Sequence, residues 1–273
     1  MRVVFIGATA GCGLHAFVKL LNATDAKHEA ILLSRRPEEY KELLTSQHGI
    51  SESVFDKQVW VVKGDATKLD DVRNLFHIAK TAGADGTSTA EPQVHAIVTS
   101  VGGKPKFGIN PLIQLTPPNI CESAAKTLLE AIELDFPASL GPDVQPRVIA
   151  ITSNGMGKSG HASLPLALKP MYSWMLKEPH ADKEEMEKAL HRAAKLQHPD
   201  FNPTLGDEPL KLHRLTILRP SLLTDGPSSD KEVRAAPTLK GAYFISRADV
   251  GRELCNSALL GGKWISEGVT LSY

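Results

Sequence analysis

Three glycines mark the first place where chemistry is legible. Gly7, Gly11 and Gly13 stand in the run Gly7-Ala8-Thr9-Ala10-Gly11-Cys12-Gly13, between the apolar segment Val3-Val4-Phe5-Ile6 and an amphipathic stretch at residues 14–21. Glycine tolerates positive φ and lets a ligand approach the backbone, and the free amides at a helix start attract an anion. A strand, turn and helix of this kind suit a pyrophosphate, with Gly7, Thr9, Ala10, Gly11, Cys12 and Gly13 as the contacting residues. The spacing is GxxxGxG, and Ala10 also permits a GxxAxxG reading. Tight turns use glycine for structural reasons alone, so the position between strand and helix carries the inference. Cys12 lies where a helix start can lower a thiol pKa, but a small filler residue is the preferred reading over a redox sensor.

The next apolar run, residues 30–33, ends in Ser34-Arg35-Arg36. In a dinucleotide-binding fold this place faces the adenosine ribose, where an acidic side chain accepts the 2′-hydroxyl of NAD. No acidic residue stands there, and two guanidinium groups suit the 2′-phosphate of NADP. The expected cofactor is therefore NADP(H), with Arg35 on the phosphate and Arg36 stacking on the adenine. The alternative is a solvated pair ahead of Pro37 and the acidic Glu38-Glu39.

The elements that position these residues alternate along the chain. Strand-like runs at 2–6, 30–33, 59–62, 94–99, 147–152 and 215–218 are separated by helical patterns at 14–21, 70–82, 120–134, 181–196 and 248–259. Val- and Ile-rich runs without alternation are buried on both faces, so the expected class is α/β, a doubly wound parallel sheet with a small C-terminal substrate-binding portion. We read residues 1–273 as one domain, with 155–210 and 221–273 supplying most of the substrate cleft. Breaker-rich stretches at 83–93 and 136–146 read as surface connections, and those at 199–209 and 225–239 as segments that could fold over a ligand.

Composition removes other classes. With 31 basic and 31 acidic residues the chain has no net charge, which argues against a nucleic-acid partner. No apolar run approaches a membrane span, and the first strand follows Met1-Arg2 directly, leaving no room for a signal peptide. Cys12, Cys121 and Cys255 are widely spaced and the ten histidines scattered, so neither disulfides nor metal are expected, and the setting is cytoplasmic. A monomer is the default expectation.

Several further segments stand in a familiar order. Gly64-Asp65-Ala66-Thr67, Ser100-Val101-Gly102-Gly103, Thr152-Ser153-Asn154, Leu218-Arg219-Pro220-Ser221-Leu222 and Ile245-Ser246-Arg247-Ala248-Asp249-Val250 each follow or flank an expected strand. Together they resemble the atypical short-chain dehydrogenase/reductase superfamily, in particular its NmrA-like branch, from residue 1 to about 260. The resemblance implies a Rossmann fold with Gly64, Asp65 and Ala66 at the adenine, Asp65 on its amino group. It further implies Ser100, Val101 and Gly102 along the adenosine, Thr152 beside the cofactor, Ser153 at the catalytic serine position, and Arg219, Pro220 and Leu222 near the nicotinamide. Arg247 and Asp249 read instead as a packed ion pair and helix cap.

Short-chain dehydrogenases pair Tyr-x-x-x-Lys with a serine: the Tyr moves the proton, the Lys lowers its pKa and holds the ribose, and the Ser orients the carbonyl. The resemblance places the family lysine at Lys183, in Asp182-Lys183-Glu184-Glu185-Met186-Glu187; its alternative is a solvated lysine among pairs such as Glu184–Lys188. Four residues before Lys183 stands Pro179, and Tyr172 precedes Lys177 by five, so the standard dyad is absent. Three routes stay open. His180 or Tyr172 supplies the proton; solvent protonates an activated enone, imine or flavin; or NADP(H) is bound without turnover. The catalytic candidates are Ser153, Tyr172, His180 and Lys183. Met171, Tyr172, Trp174 and Met175, in an unusually apolar stretch, are expected to wall the pocket of a hydrophobic substrate, with ordinary core burial as the alternative.

The combined expectation is an NADP(H)-dependent oxidoreductase that reduces a small or medium hydrophobic carbonyl, enone or imine compound. The alternatives are an NADP(H)-sensing regulator with a protein partner, and a non-redox isomerase or cyclase that keeps the cofactor as scaffold. Replacing Arg35 and Arg36 with Ala is expected to weaken NADPH binding by about tenfold or more, with NADH binding little changed and the salt dependence reduced. Equal losses in a fluorescence titration of the two cofactors would show that the pair does not read the 2′-phosphate.

Overall fold

The computed structural model describes residues 1–23, 27–82, 93–107, 113–229 and 231–273. In chain order the strands are β1 (Arg2–Ile6), β2 (Glu29–Ser34), β3 (Val59–Lys63), β4 (Ala96–Thr99), β5 (Lys104–Phe107), β6 (Ile113–Thr116), β7 (Arg147–Ile151), β8 (Leu215–Pro220), β9 (Leu222–Thr224), β10 (Arg234–Ala236), β11 (Phe244–Ser246) and β12 (Glu267–Ser272). The helices are α1 (Gly11–Leu21), α2 (Glu38–Glu42), α3 (Glu52–Gln58), α4 (Leu69–Thr81), α5 (Ile120–Asp135), α6 (Gly157–Ser163), α7 (Lys169–Trp174), α8 (Lys177–Ala193) and α9 (Arg247–Glu253). Among the described residues an eight-stranded sheet runs in the order β10-β12-β8-β7-β4-β1-β2-β3, parallel throughout except where β10 meets β12. The strand order therefore reverses between β1 and β4, the place where an open α/β sheet leaves a crevice beyond its carboxyl ends.

The expected doubly wound α/β sheet is the observed one, and its cause is visible strand by strand. All five residues of β1 are buried, with Val3 and Phe5 facing one helical layer and Val4 and Ile6 the other. The first layer packs Phe5 edge-on against Phe17 of α1, with centroids 5.1 Å apart, and Phe17 against Tyr40 at 5.6 Å. The second brings Phe76 of α4, Leu128 and Ile132 of α5, and Met186 and Leu190 of α8 onto the sheet. Burial on both faces requires helices on both sides, which the alternating pattern supplies.

The six expected strands are all present. The sheet also contains β12 from the last residues of the chain, Glu267-Gly268-Val269-Thr270-Leu271-Ser272, which has too few apolar residues to stand out by pattern and is stabilised by pairing with β8. The helix expected at 181–196 begins earlier, at Lys177, and ends at Ala193. The last helix closes in a π turn over Leu254–Leu260. Of the breaker-rich stretches, residues 83–92 lie outside the described ones, while Phe136, Gln145 and Pro146 in the 136–146 connection are buried. Among the described residues no helix is long and apolar enough to cross a membrane.

One buried contact fixes α8 relative to α5. The amino end of α5 follows Asn119, which has φ +54 and makes no side-chain cap of its own. Asp182 of α8 supplies the cap, accepting hydrogen bonds from Cys121 N at 3.0 Å and Glu122 N at 2.9 Å. Asp182→Ala is expected to cost roughly 1–3 kcal/mol, since it leaves two helix-end amides unmatched in a buried place. Urea unfolding checks this, and an unchanged midpoint would contradict it.

Candidate functional site

The glycine turn lies at the reversal point of the sheet and is held from two sides. Ser100 Oγ, beyond β4, donates to Gly7 O at 2.7 Å, and Tyr40 donates its hydroxyl to Ala8 O at 2.8 Å. Gly7 has φ +85, and a Cβ there would lie 2.6 Å from Val101 N. A Cβ on Gly13 would sit 2.0 Å from Ser100 Oγ. These glycines let the turn and β4 close together. Gly11 has φ +62 and opens α1, whose start after Ala10 has neither a side-chain cap nor an acidic residue in its first turn. Thr9 and Ala10 are exposed there. Cys12 is buried, and that burial pushes its thiol up to about 11 despite the nearby Arg247 and Lys183 charges, so it is a filler and not a reactive thiolate.

Ser34 is buried and its Oγ accepts from Arg36 N at 3.1 Å, turning the backbone so that Arg35 and Arg36 face solvent. Arg36 pairs with Glu39 at 3.1 Å, whereas no side-chain hydrogen bond or ion pair holds Arg35 among the described residues. Asp65 uses Oδ1 to accept from Thr67 N and Oγ1 at 2.9 and 2.8 Å. Its burial opposes ionisation, but those bonds and the Arg35 charge hold the carboxyl below its ordinary value. Gly64 packs against Leu33 and Asp71, Ala66 is half-buried, and Val101 is buried. A Cβ on Gly102 would meet nothing within 4 Å, so the backbone there borders open space. The uncapped helix start, the open margin at Gly102 and the unbonded Arg35 fit a dinucleotide laid across the turn.

At the carboxyl end of β7 the catalytic candidates converge. Lys183 Nζ donates to Ile151 O at 3.2 Å, and Ser153 Oγ stands 3.1 Å from His180 Nε2. Ser153 Oγ is also 3.3 Å from Asn154 O. When the hydroxyl donates to that carbonyl, His180 donates from Nε2; when the hydroxyl donates to Nε2, the ring carries its proton on Nδ1. Burial, helped by the Lys183 and His161 charges, lowers His180 to about 4, so the ring is neutral near pH 7. Tyr172 packs edge-on against His180 with centroids 5.1 Å apart, and burial pushes its phenol up to about 12. Thr152 is buried with its Oγ1 unpartnered. In front of His180 a cleft of about 720 Å³ is bounded by Gly157, Lys158, His161, Glu184 and Asp200, among others.

A family model for NAD(P)H-binding proteins matches residues 7–258. The chain belongs to the NAD(P)H-binding family. A reductase from Aspergillus terreus, pytE, is 31% identical over 99% of this chain and 97% of its own length. An oxidase from Aspergillus niger, pynE, is 28% identical over 99% and 98%. Among solved structures, ChuY, an anaerobillin reductase from Escherichia coli O157:H7, shares the fold with a TM-score of 0.63 at 18% identity, covering 100% of this chain and 97% of that one. The protein is thus an NAD(P)H-binding protein with reductase-like relatives, and the glycine turn and Ser153 lie within the matched span.

Within this family member several expected residues stand elsewhere. Arg219 is turned into the structure: its Nε donates to Glu187 Oε1 at 2.7 Å, its NH1 to Gly268 O at 3.3 Å, and its NH2 also meets Glu187. Its guanidinium balances a fully buried carboxylate, while Arg219 also lines the small cavity that Ser153 borders. Pro220 offers its carbonyl to Asn154 N at 2.9 Å, and Leu222 begins β9, paired with β11. Met171, Trp174 and Met175 do not bound the cleft, and Trp174 is 57% exposed; short α7 turns them away while burying only Tyr172. Arg247 and Asp249 do not pair with each other. Asp249 pairs with Arg252 at 2.5 Å, Ser246 caps α9 by accepting from Asp249 N at 3.0 Å, and Arg247 reaches Asp225 at 2.7 Å.

Sequence reading missed the polar cleft wall of Lys158, His161, Glu184 and Asp200, and the anchors Asp182 and Glu187. For Glu187 the available signal was its place four residues after Lys183, on the same helix face; Asp182, next to Lys183, had none. The 199–209 stretch does border the cleft, through Pro199 and Asp200. Pro237 and Thr238, from 225–239, line a smaller cavity beside Ser153.

His180 and His198 both fall to about 4, each chiefly by burial, against an ordinary 6.5. A base with a depressed folded value contributes stability that is complete above 6.5 and is lost as pH falls from 6.5 towards 4. The urea midpoint is expected to drop across that window, with a shallower slope in His180→Asn and His198→Asn. A flat profile in the unmodified protein would contradict the assignment.

Proposed function

We propose that the protein is an NADP(H)-dependent reductase of the short-chain dehydrogenase/reductase type, acting on a carbonyl, enone or imine compound of small or medium size. The observation that carries this reading is the Ser153–His180 contact of 3.1 Å, beside Lys183 at the carboxyl end of β7, with His180 on the cleft and Ser153 on the smaller cavity beside it. When bound, the nicotinamide supplies the hydride. Lys183, which donates one N–H to Ile151 O, bonds the ribose with those that remain. Arg35 faces the 2′-phosphate and favours NADP over NAD.

The proton is the task of Ser153 and His180. Ser153 Oγ orients the substrate oxygen or nitrogen and passes its proton to the atom that gains charge as hydride arrives. His180 Nε2 lies within reach to replace it. As Nε2 gives up its proton, Nδ1 takes one from water in the cleft, so the ring changes tautomer and stays neutral. Tyr172, with its phenol raised and its ring sealed against Gly155 and His180, orients the imidazole and does not supply the proton. The polar wall of Lys158, His161, Glu184 and Asp200 favours a substrate with hydrogen-bonding groups over the hydrophobic compound expected from Met171, Tyr172, Trp174 and Met175. The Aspergillus terreus relative's description as a reductase supports the direction of transfer.

Nicotinamide absorbance with saturating NADPH and a panel of quinones, enones, imines and aldehydes tests the reading. With an accepted substrate, Ser153→Ala and His180→Ala are each expected to lower turnover by about a hundredfold with NADPH affinity retained. Unchanged turnover in both variants would remove the assignment.

A further inference from the structure

The ion pair that replaced the expected Arg247–Asp249 contact lies where the cofactor's charge must go. Helix α9 runs against α1 closely enough that a Cβ on Gly251 would stand 2.4 Å from His15 Cβ. This packing sets Arg247, the first residue of α9, beside the start of α1: its Cδ is 3.8 Å from the position of a Cβ on Gly11. The guanidinium is about one-third exposed and bonded through NH1 to Asp225 at 2.7 Å. The Asp225 carboxylate is 90% exposed, so the pair stands at the surface and is not a buried structural bridge. The other guanidinium N–H groups have no acceptor among the described residues. Opposite them, α1 begins without a side-chain cap and without an acidic residue in its first turn. The Arg247 charge also reaches into this turn, where it acts on both Cys12 and His15.

We propose that Arg247 binds the pyrophosphate of the dinucleotide from the α9 side, with Asp225 holding the guanidinium over the turn. An anion at the start of α1 is met by backbone amides from one direction and by a planar, permanently charged donor from the other. This role differs from that of Arg35, which follows β2 and reads the 2′-phosphate. The inference rests on dinucleotide binding, which family membership carries, and is independent of the reductase reading. A protein that binds ADP-ribose but consumes no NADPH still tests it.

Calorimetric titration of the full chain with two fragments makes the test. ADP-ribose carries the pyrophosphate without the 2′-phosphate, and adenosine 2′-monophosphate carries the 2′-phosphate without the pyrophosphate. Arg247→Gln is expected to weaken ADP-ribose binding about tenfold or more and to leave adenosine 2′-monophosphate within about twofold. Arg247→Lys, which keeps the charge without the fork, is expected to recover part of the loss. Unchanged ADP-ribose affinity in Arg247→Gln overturns the proposal. Equal loss of both fragments overturns it as well, since Arg247 would then hold the fold and not the phosphate. Failure of the unmodified protein to bind ADP-ribose does the same.

Discussion

The carboxylate of Asp182 is the contact on which the site depends. A helix begins with amides that have no partner within it, and α5 begins after a left-handed Asn119 that does not cap it. Asp182, itself buried, takes up two of those amides from a neighbouring helix. Because Asp182 lies between His180 and Lys183 in α8, any slide of α8 along α5 would break both bonds. The same constraint that completes α5 therefore holds Lys183 on Ile151 and His180 on Ser153.

A second anchor acts one turn further along. Glu187 is fully buried; burial opposes its ionisation, but His191 and Arg219 hold it ionised, so its pKa is lowered. Arg219 belongs to β8, so this pair fastens α8 to the sheet as Asp182 fastens it to α5. Breaking such a pair by removing one partner is costly, because the other charge is left buried. On the opposite side of the crevice, Ser100 and Tyr40 hold the glycine turn by bonding the carbonyls of Gly7 and Ala8. The turn is thereby shaped by side chains from β4's end and from α2. The glycine turn and the Ser153–His180 pair both lie at the carboxyl ends of the strands, and the charge of Lys183 is felt as far as Cys12.

The fold was largely legible because parallel strands buried on both faces leave continuous apolar runs, as in Val3-Val4-Phe5-Ile6. The glycine turn was legible because its constraints are local: positive φ at Gly7 and Gly11, and no room for a side chain at Gly13. Ser153, His180 and Lys183 were found individually, the serine and lysine through family resemblance and the histidine through the missing tyrosine. Their convergence was not legible, since it depends on how α8 lies against β7. The inward pairing of Arg219 was not legible, because its partner Glu187 lies 32 residues away on another element. Met171, Trp174 and Met175 misled for a related reason: an apolar run does not reveal which way a short helix turns. The strand β12 was invisible because its stability comes from its neighbour β8 and not from its own composition.

The central claim is that His180 is a neutral, half-buried imidazole bound to Ser153 and held by Asp182 at the carboxyl end of β7. Nuclear magnetic resonance of the ring protons as a function of pH tests it most directly, with His180→Asn used to assign the signal. The account predicts titration near 4, moving towards ordinary values in Asp182→Ala. Titration near 6.5 in the unmodified protein would contradict it.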